Sequence, residues 1–168
     1  VSEPQGYAVN VVKSIFKKHN ISFNGQIIVQ AELQRPQAFT LIARHLSAPL
    51  IELIDEMLLK SDNLMAEALL RTSAEKYVNQ PLNFNQTTKA FVAMLQEFGI
   101  DLTTANVADG SGLSRYNLVR PKDLVDVMRK ITEEVPVERL SQLLPESGKS
   151  GTMKNVQLVN SGAKIWAK

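Results

Sequence analysis

The sequence predicts an α/β chain in which helices dominate and strands are few and short. Three observations carry this. Apolar residues recur at three- and four-residue spacing in five long segments. Ser, Asn, Gly and Pro punctuate the gaps between those segments. Two short stretches, around Ile27-Ile28-Val29 and Ile165-Trp166, carry the β-branched and aromatic residues of strands.

Residues 7–19 place Val9, Val12, Ile15 and Phe16 on one helical face, and Asn20 is the expected stop. Asn24-Gly25 reads as a turn, 26–33 as a strand broken by Arg35-Pro36, and 39–43 as a second strand. Ser47 is the expected N-cap of a helix with Pro49 in its first turn; Leu50, Ile51, Ile54, Met57 and Leu58 carry it to Lys60. Met65, Ala66, Leu69 and Ala74 mark another over 64–77. After the loop at 79–81, a helix from Asn85 or Gln86 carries Phe91, Leu95 and Phe98 and ends at Gly99. Residues 102–107 read as extended and 109–117 as a glycine-rich turn. Pro121 opens a helix to about 133, a short helix follows over 136–144, and 144–153 is a Gly- and Ser-rich loop. The last segment, 156–168, contains the Ile165-Trp166 strand.

The 168 residues, 44% apolar and 21% charged, suit one globular domain with an ordinary core. Net charge is +2 and the basic residues are scattered among few aromatics, which argues against a nucleic-acid surface. No apolar run approaches a membrane span. The absence of Cys excludes disulfides and thiol chemistry, and with only His19 and His45 a zinc site is not expected. Val1-Ser2-Glu3-Pro4 does not have the form of a signal peptide and does not begin with Met, so an internal piece or a matured product is expected.

Ser61-Asp62-Asn63 sits between two helical patterns and admits two readings. All three residue types cap helices, because their side chains satisfy the free N–H groups of a first turn. The same residues form a Ser-x-Asn element, in which a hydroxyl and a carboxamide face a cleft. Taken alone, the tripeptide leaves both open.

Other elements follow it in order: Asp109-Gly110-Ser111-Gly112-Leu113-Ser114-Arg115-Tyr116-Asn117, then Leu144-Pro-x-x-Gly-x-x-Gly-Thr, then Ala163-Lys164-Ile165-Trp166-Ala167-Lys168. Together with Tyr7-Ala8 and Ser47-Ala48-Pro49-Leu50, they resemble the C-terminal part of a penicillin-binding protein 4-type D-alanyl-D-alanine carboxypeptidase/endopeptidase. That is a serine peptidase family of the β-lactamase/DD-peptidase (transpeptidase-like) fold, and the likeness covers essentially the whole chain.

The resemblance implies acyl transfer by three elements: a Ser-x-x-Lys bearing nucleophile and base, the Ser-x-Asn, and a Lys-Thr-Gly on a strand. It implies that Ser61 relays a proton toward the leaving D-alanine nitrogen and that Asn63 hydrogen-bonds the substrate amide. Lys168 becomes the lysine of Lys-Thr-Gly, presenting positive charge to the substrate carboxylate. It further implies peptidoglycan stem peptides and β-lactams as ligands, no cofactor, and the bacterial periplasm. Residues 1–46 become the end of an inserted region with the return to the catalytic domain, and 47–168 part of that penicillin-binding domain.

Two departures qualify the match. The chain stops at Lys168, where Thr-Gly is expected, and the family nucleophile lies far upstream of Ser-x-Asn. Ser14-Ile15-Phe16-Lys17 and Ser161-Gly162-Ala163-Lys164 have the right spacing, but such strings arise easily by chance. The expectation is therefore a fragment inactive by itself, with the acylated serine in a missing N-terminal part of the same protein. The rivals are a β-lactamase-like serine hydrolase, which turns penicillin over, and a non-enzymatic helical interaction module. Gly148-Lys149-Ser150 imitates a phosphate loop without its leading glycine. The Asp109–Ser114 amides could cradle an anion, though a tight glycine turn is the simpler reading. Glu67/Arg71 and Asp55/Glu56/Lys60 have helix-pair spacing and are expected on solvated faces.

Overall fold

The computed structural model describes residues 3–29, 40–157 and 164–167. The chain divides into two compact units, Val1–His45 and Leu46–Lys168.

The first unit carries α1 (Pro4–Lys18), which begins with Pro at its first position and ends through Asn20 in the left-handed region, φ 54. Ile21 N–H closes the end onto Phe16 O at 2.9 Å, and the Phe16 and Phe23 rings meet at 5.2 Å. The strand expected over 26–33 is absent from 26–29, and 40–43 shows none either; 30–39 lie outside the described residues. A strand needs a partner for its backbone groups, and no bridge reaches these described residues.

The second unit is helical: α2 (Leu50–Lys60), α3 (Asn63–Val78), α4 (Phe84–Glu97), α5 (Pro121–Glu134) and α6 (Val137–Leu143), followed by a 3-10 turn at Gly151–Met153. α3 packs along α4, while α2 rests on α3, α6 and the 3-10 turn. Among the described residues the buried apolar side chains are Leu70 and Ala74 of α3, Leu82 before α4, Ile100 and Leu102 after it, and Leu143 and Pro145. α5 turns Leu124, Val125 and Met128 outward. Among the described residues the expected strands reduce to two antiparallel bridges, Asn106 with Leu118 and Glu146 with Trp166.

Local chemistry explains the helix boundaries. α2 is capped by Pro49, whose carbonyl takes the Glu52 and Leu53 N–H groups, whereas the Ser47 hydroxyl donates to Ala48 O. A start at Ser47 would put Ala48 in the helix, and the residue before a proline is driven out of that conformation. α4 begins with a capping box that the apolar periodicity hides: Asn83 Oδ1 accepts from Gln86 N, and Gln86 Oε1 accepts from Asn83 N. Gly99, at φ 78, closes its far end, with Ile100 N–H on Leu95 O. In α5, Asp123 reaches back to Arg120 N and pairs with its guanidinium at 2.7 Å, leaving Asp123 1% exposed. Those hydrogen bonds from Arg120 hold the Asp123 carboxyl below its ordinary value against the effect of burial.

Candidate active site

The three residues of Ser61-Asp62-Asn63 do three different things. Ser61 ends α2 in the left-handed conformation, φ 58 and ψ 48, with its N–H on Met57 O. Asp62 caps α3, Oδ1 accepting from Met65 N at 2.9 Å. Asn63 is the first residue of α3, one earlier than the apolar pattern places the start. The capping reading therefore holds for Asp62 alone. The Ser61 hydroxyl and the Asn63 carboxamide are exposed and take no part in either cap.

A left-handed residue without a glycine or asparagine is strained, because Cβ crowds the following carbonyl. What holds Ser61 there is packing on both sides. Gly151 lies so close to the end of α2 that a Cβ on it would stand 2.8 Å from Leu59 O. Gly110 approaches α3 equally closely, its would-be Cβ 2.9 Å from Ala66 O and from Leu70 Cβ. The two glycine loops thus clamp the two helices whose junction is Ser61-Asp62-Asn63.

Amides of the loop of residues 109–117 go to carboxylates of the protein itself, Asp109 within the loop and Glu67 on α3, rather than to an external anion. Asp109 accepts from Gly112 N at 2.7 Å, Ser114 N at 2.6 Å and Asn117 Nδ2 at 2.8 Å. Burial pushes the Asp109 carboxyl up, and these bonds outweigh it, so the group sits below its ordinary value. Gly110 N and Ser111 N both donate to Glu67 Oε1, at 3.0 and 3.1 Å. The expected Glu67/Arg71 surface pair is therefore replaced: Arg71 pairs with Glu75 at 2.9 Å, and Glu67 belongs to the loop. Glu56 and Lys60 do form an exposed pair at 2.6 Å, but Asp55 keeps a buried Oδ1 with no partner among the described residues.

The second loop leads toward the chain end. Glu146 bridges Trp166, Ser147 N donates to Ile165 O at 2.9 Å, and Ala167 N donates to Pro145 O at 3.1 Å. Pro145 in turn lies against Gly151, beside Leu59. Lys168 and Ser161, and with Ser161 the Ser161-x-x-Lys164 string, lie outside the described residues. Ser14, the other candidate nucleophile, donates to Asn10 O at 2.8 Å within α1. Lys149 pairs with Glu146 and Ser150 Oγ takes Glu146 N–H, so this loop's polar groups serve the loop itself.

A cleft of 810 Å³ runs between α4 and residues 102–116, lined by Lys89, Gln96, Asn106 and Tyr116, and includes neither Ser61 nor Asn63. Among the described residues no group of three or more His, Asp or Glu side chains could hold a metal ion. No helix there is long and apolar enough to cross a membrane.

Residues 1–167 match the D-Ala-D-Ala carboxypeptidase 3 (S13) family. The chain belongs to that family. Among S13 relatives, it is 37% identical over 153 residues to D-alanyl-D-alanine carboxypeptidase DacB of Haemophilus influenzae, covering 91% of this chain and 31% of the relative. It is 37% identical over 118 residues to a carboxypeptidase DacB of Mycolicibacterium smegmatis, covering 69% of this chain and 25% of the relative. The crystal structure of penicillin-binding protein 4 (dacB) from Haemophilus influenzae, complexed with a β-lactam, superimposes with a TM-score of 0.78 at 38% identity. That match covers 89% of this chain and 34% of the other. The fold is thus the DD-peptidase fold, here in a mainly helical stretch. This S13 chain spans about a third of the length of the Haemophilus relative it matches.

The sequence reading named Glu67 and Asn117 but not what they hold, and it missed the Arg120–Asp123 pair. Asn83-x-x-Gln86 and Pro121-x-Asp123 carry visible first-turn signals. Glu67 carries none, because its partners lie 43 and 44 residues away.

Proposed function

We propose that this chain is part of a serine-type D-Ala-D-Ala carboxypeptidase/endopeptidase that acts on peptidoglycan stem peptides through an acyl-enzyme, and that β-lactams acylate the same serine. The observation that carries the reading is the strained Ser61, its hydroxyl free of both caps, one residue from Asn63 in a chain that matches the family over residues 1–167. A serine hydroxyl is a weak nucleophile until a base takes its proton, and well-placed proton transfer is worth about 10²–10⁴-fold. Ser61 would pass that proton to the leaving amine, Asn63 would orient the substrate amide, and Lys168 would offer charge to the substrate carboxylate. The nucleophilic Ser-x-x-Lys would come from the remainder of the protein. Residues 1–46 would close an inserted region and 47–168 belong to the penicillin-binding domain, with the protein at work in the periplasm.

Supporting this placement, Ala167 is bonded to Pro145, which packs on Gly151 against the last turn of α2. These contacts link the residue before Lys168, through Pro145 and Gly151, to the last turn of the helix that Ser61 ends.

The test is labelling of the full-length protein with a fluorescent penicillin, read by intact mass and gel. Ser61→Ala and Asn63→Ala should each fold and lose most of the labelling. Wild-type labelling in both variants would overturn the reading, and steady turnover of penicillin would move the protein to the β-lactamase side.

A further inference from the structure

Among the described residues, one side chain hydrogen-bonds the loop of residues 109–117 to α3. Glu67 Oε1 takes both the Gly110 and the Ser111 N–H groups, and Gly110 sits directly on the α3 backbone at Ala66. Glu67 stands four residues after Asn63, so the two share a helix face, and a helical side chain leans toward the N-terminal turn. The carboxylate therefore holds the loop on the face of α3 that Asn63 begins, with the Glu67 backbone ~6 Å further along the helix axis, four residues at ~1.5 Å each. Inside the loop, Asp109 has already gathered Gly112, Ser114 and Asn117 into one rigid turn, so whatever fixes Gly110 and Ser111 fixes the whole of it.

We propose that Glu67 is a positioning residue for acylation: its carboxylate sets the loop of residues 109–117 against the turn of α3 that bears Asn63. This rests on the acyl-transfer reading above. Both N–H groups converge on a single oxygen, so a side chain of the same length with one carbonyl oxygen can replace it. A shorter side chain cannot reach, whatever its charge. Geometry, not charge, is what the position requires.

In the full-length protein, Glu67→Ala should speed hydrogen exchange at the Gly110 and Ser111 amides while leaving α3 protected. It should also slow fluorescent-penicillin acylation by about ten-fold or more, since a misplaced cleft wall costs rate rather than fold. Glu67→Gln should return both readouts close to wild type, and Glu67→Asp should behave like Glu67→Ala. Should the alanine variant fail to fold, the Gln and Asp pair decides: equal acylation by the two overturns the proposal. Unchanged exchange or unchanged acylation in a folded Glu67→Ala overturns it as well. Ser61→Ala and Asn63→Ala, measured alongside, separate the two ideas. If they are dead and Glu67→Ala is fully active, only the positioning role falls; if they label normally, the acyl-transfer reading falls and takes this one with it.

Discussion

Helices α2 and α3 end in the same backbone conformation, Ser61 at φ 58, ψ 48 and Asn79 at φ 55, ψ 36, but with different residue types. Each donates its N–H four residues back, to Met57 O and to Glu75 O. Asparagine enters the left-handed region readily because its short carboxamide can bond locally, and α1 stops the same way at Asn20. Serine enters at a cost. The difference points to what Ser61 does besides ending a helix: strain of this kind persists where neighbours over-determine the backbone, and it concentrates at functional sites. Here the neighbours are the Asp62 cap on one side and Gly151 against Leu59 on the other. Asn79 ends its helix at a loop that is also pinned, Gln80 N–H on Glu75 O at 3.2 Å and the buried Leu82 donating its N–H to Glu75 Oε1 at 3.1 Å, so what differs between the two ends is the residue type.

The contrast can be broken most severely through the hydroxyl itself. Ser61→Asn and Ser61→Gly should lower penicillin acylation of the full-length protein by at least about 100-fold, if the serine relays a proton. The same two variants should raise its unfolding free energy by about 1 kcal/mol, because the strain is relieved. Asn79→Ser should do the opposite, losing a little stability and no acylation; acylation and chemical denaturation measured on all three decide the matter. Next in size come the clamps. Gly151→Ala and Gly110→Ala force a methyl against a backbone carbonyl and should each cost about 1–3 kcal/mol in denaturant unfolding. Asp62→Ala removes a helix cap and should cost about 1 kcal/mol, recovered largely by Asp62→Ser or Asp62→Asn.

The smallest effect is one of pH. Asp123 and Asp109 both titrate below their ordinary 3.8 in the folded protein. The unfolded chain then binds more protons around that value, so stability rises with pH across it. The contribution is present above 3.8 and is lost as pH falls through the depressed folded values. Asp123→Asn, with the Arg120 pairing gone, should flatten the acid side of a melting-temperature profile; an unchanged slope would count against the pair.

Much of this was legible in the residues. Helices α2 to α6 begin and end within a few residues of where periodicity, proline and glycine place them, because those signals act over one or two turns. Asp109-Gly-Ser-Gly and Leu144-Pro-x-x-Gly-x-x-Gly-Thr were readable as loops, and their order with Ser61-x-Asn63 was enough to name a family. Ser47 misled because the effect of Pro49 on Ala48 outweighs a serine's capping preference. The strand expected over 26–33 failed in its described part, 26–29, because β-branched residues describe a strand's surface but do not supply its partner.

By itself, then, the sequence determined the helices, the loops and the family, all of which are written in residue types at short spacing. The tertiary structure alone decided that Glu67 turns from Arg71 to the Gly110 and Ser111 amides, and that Gly110 and Gly151 grip the two helices beside Ser61. Only it showed Ser61 rather than Asp62 in the strained conformation. The physical reason is range: a cap or a turn is chosen by neighbours in the chain, whereas a carboxylate's partner is chosen by whichever unpaired N–H groups the packing brings within about 3 Å.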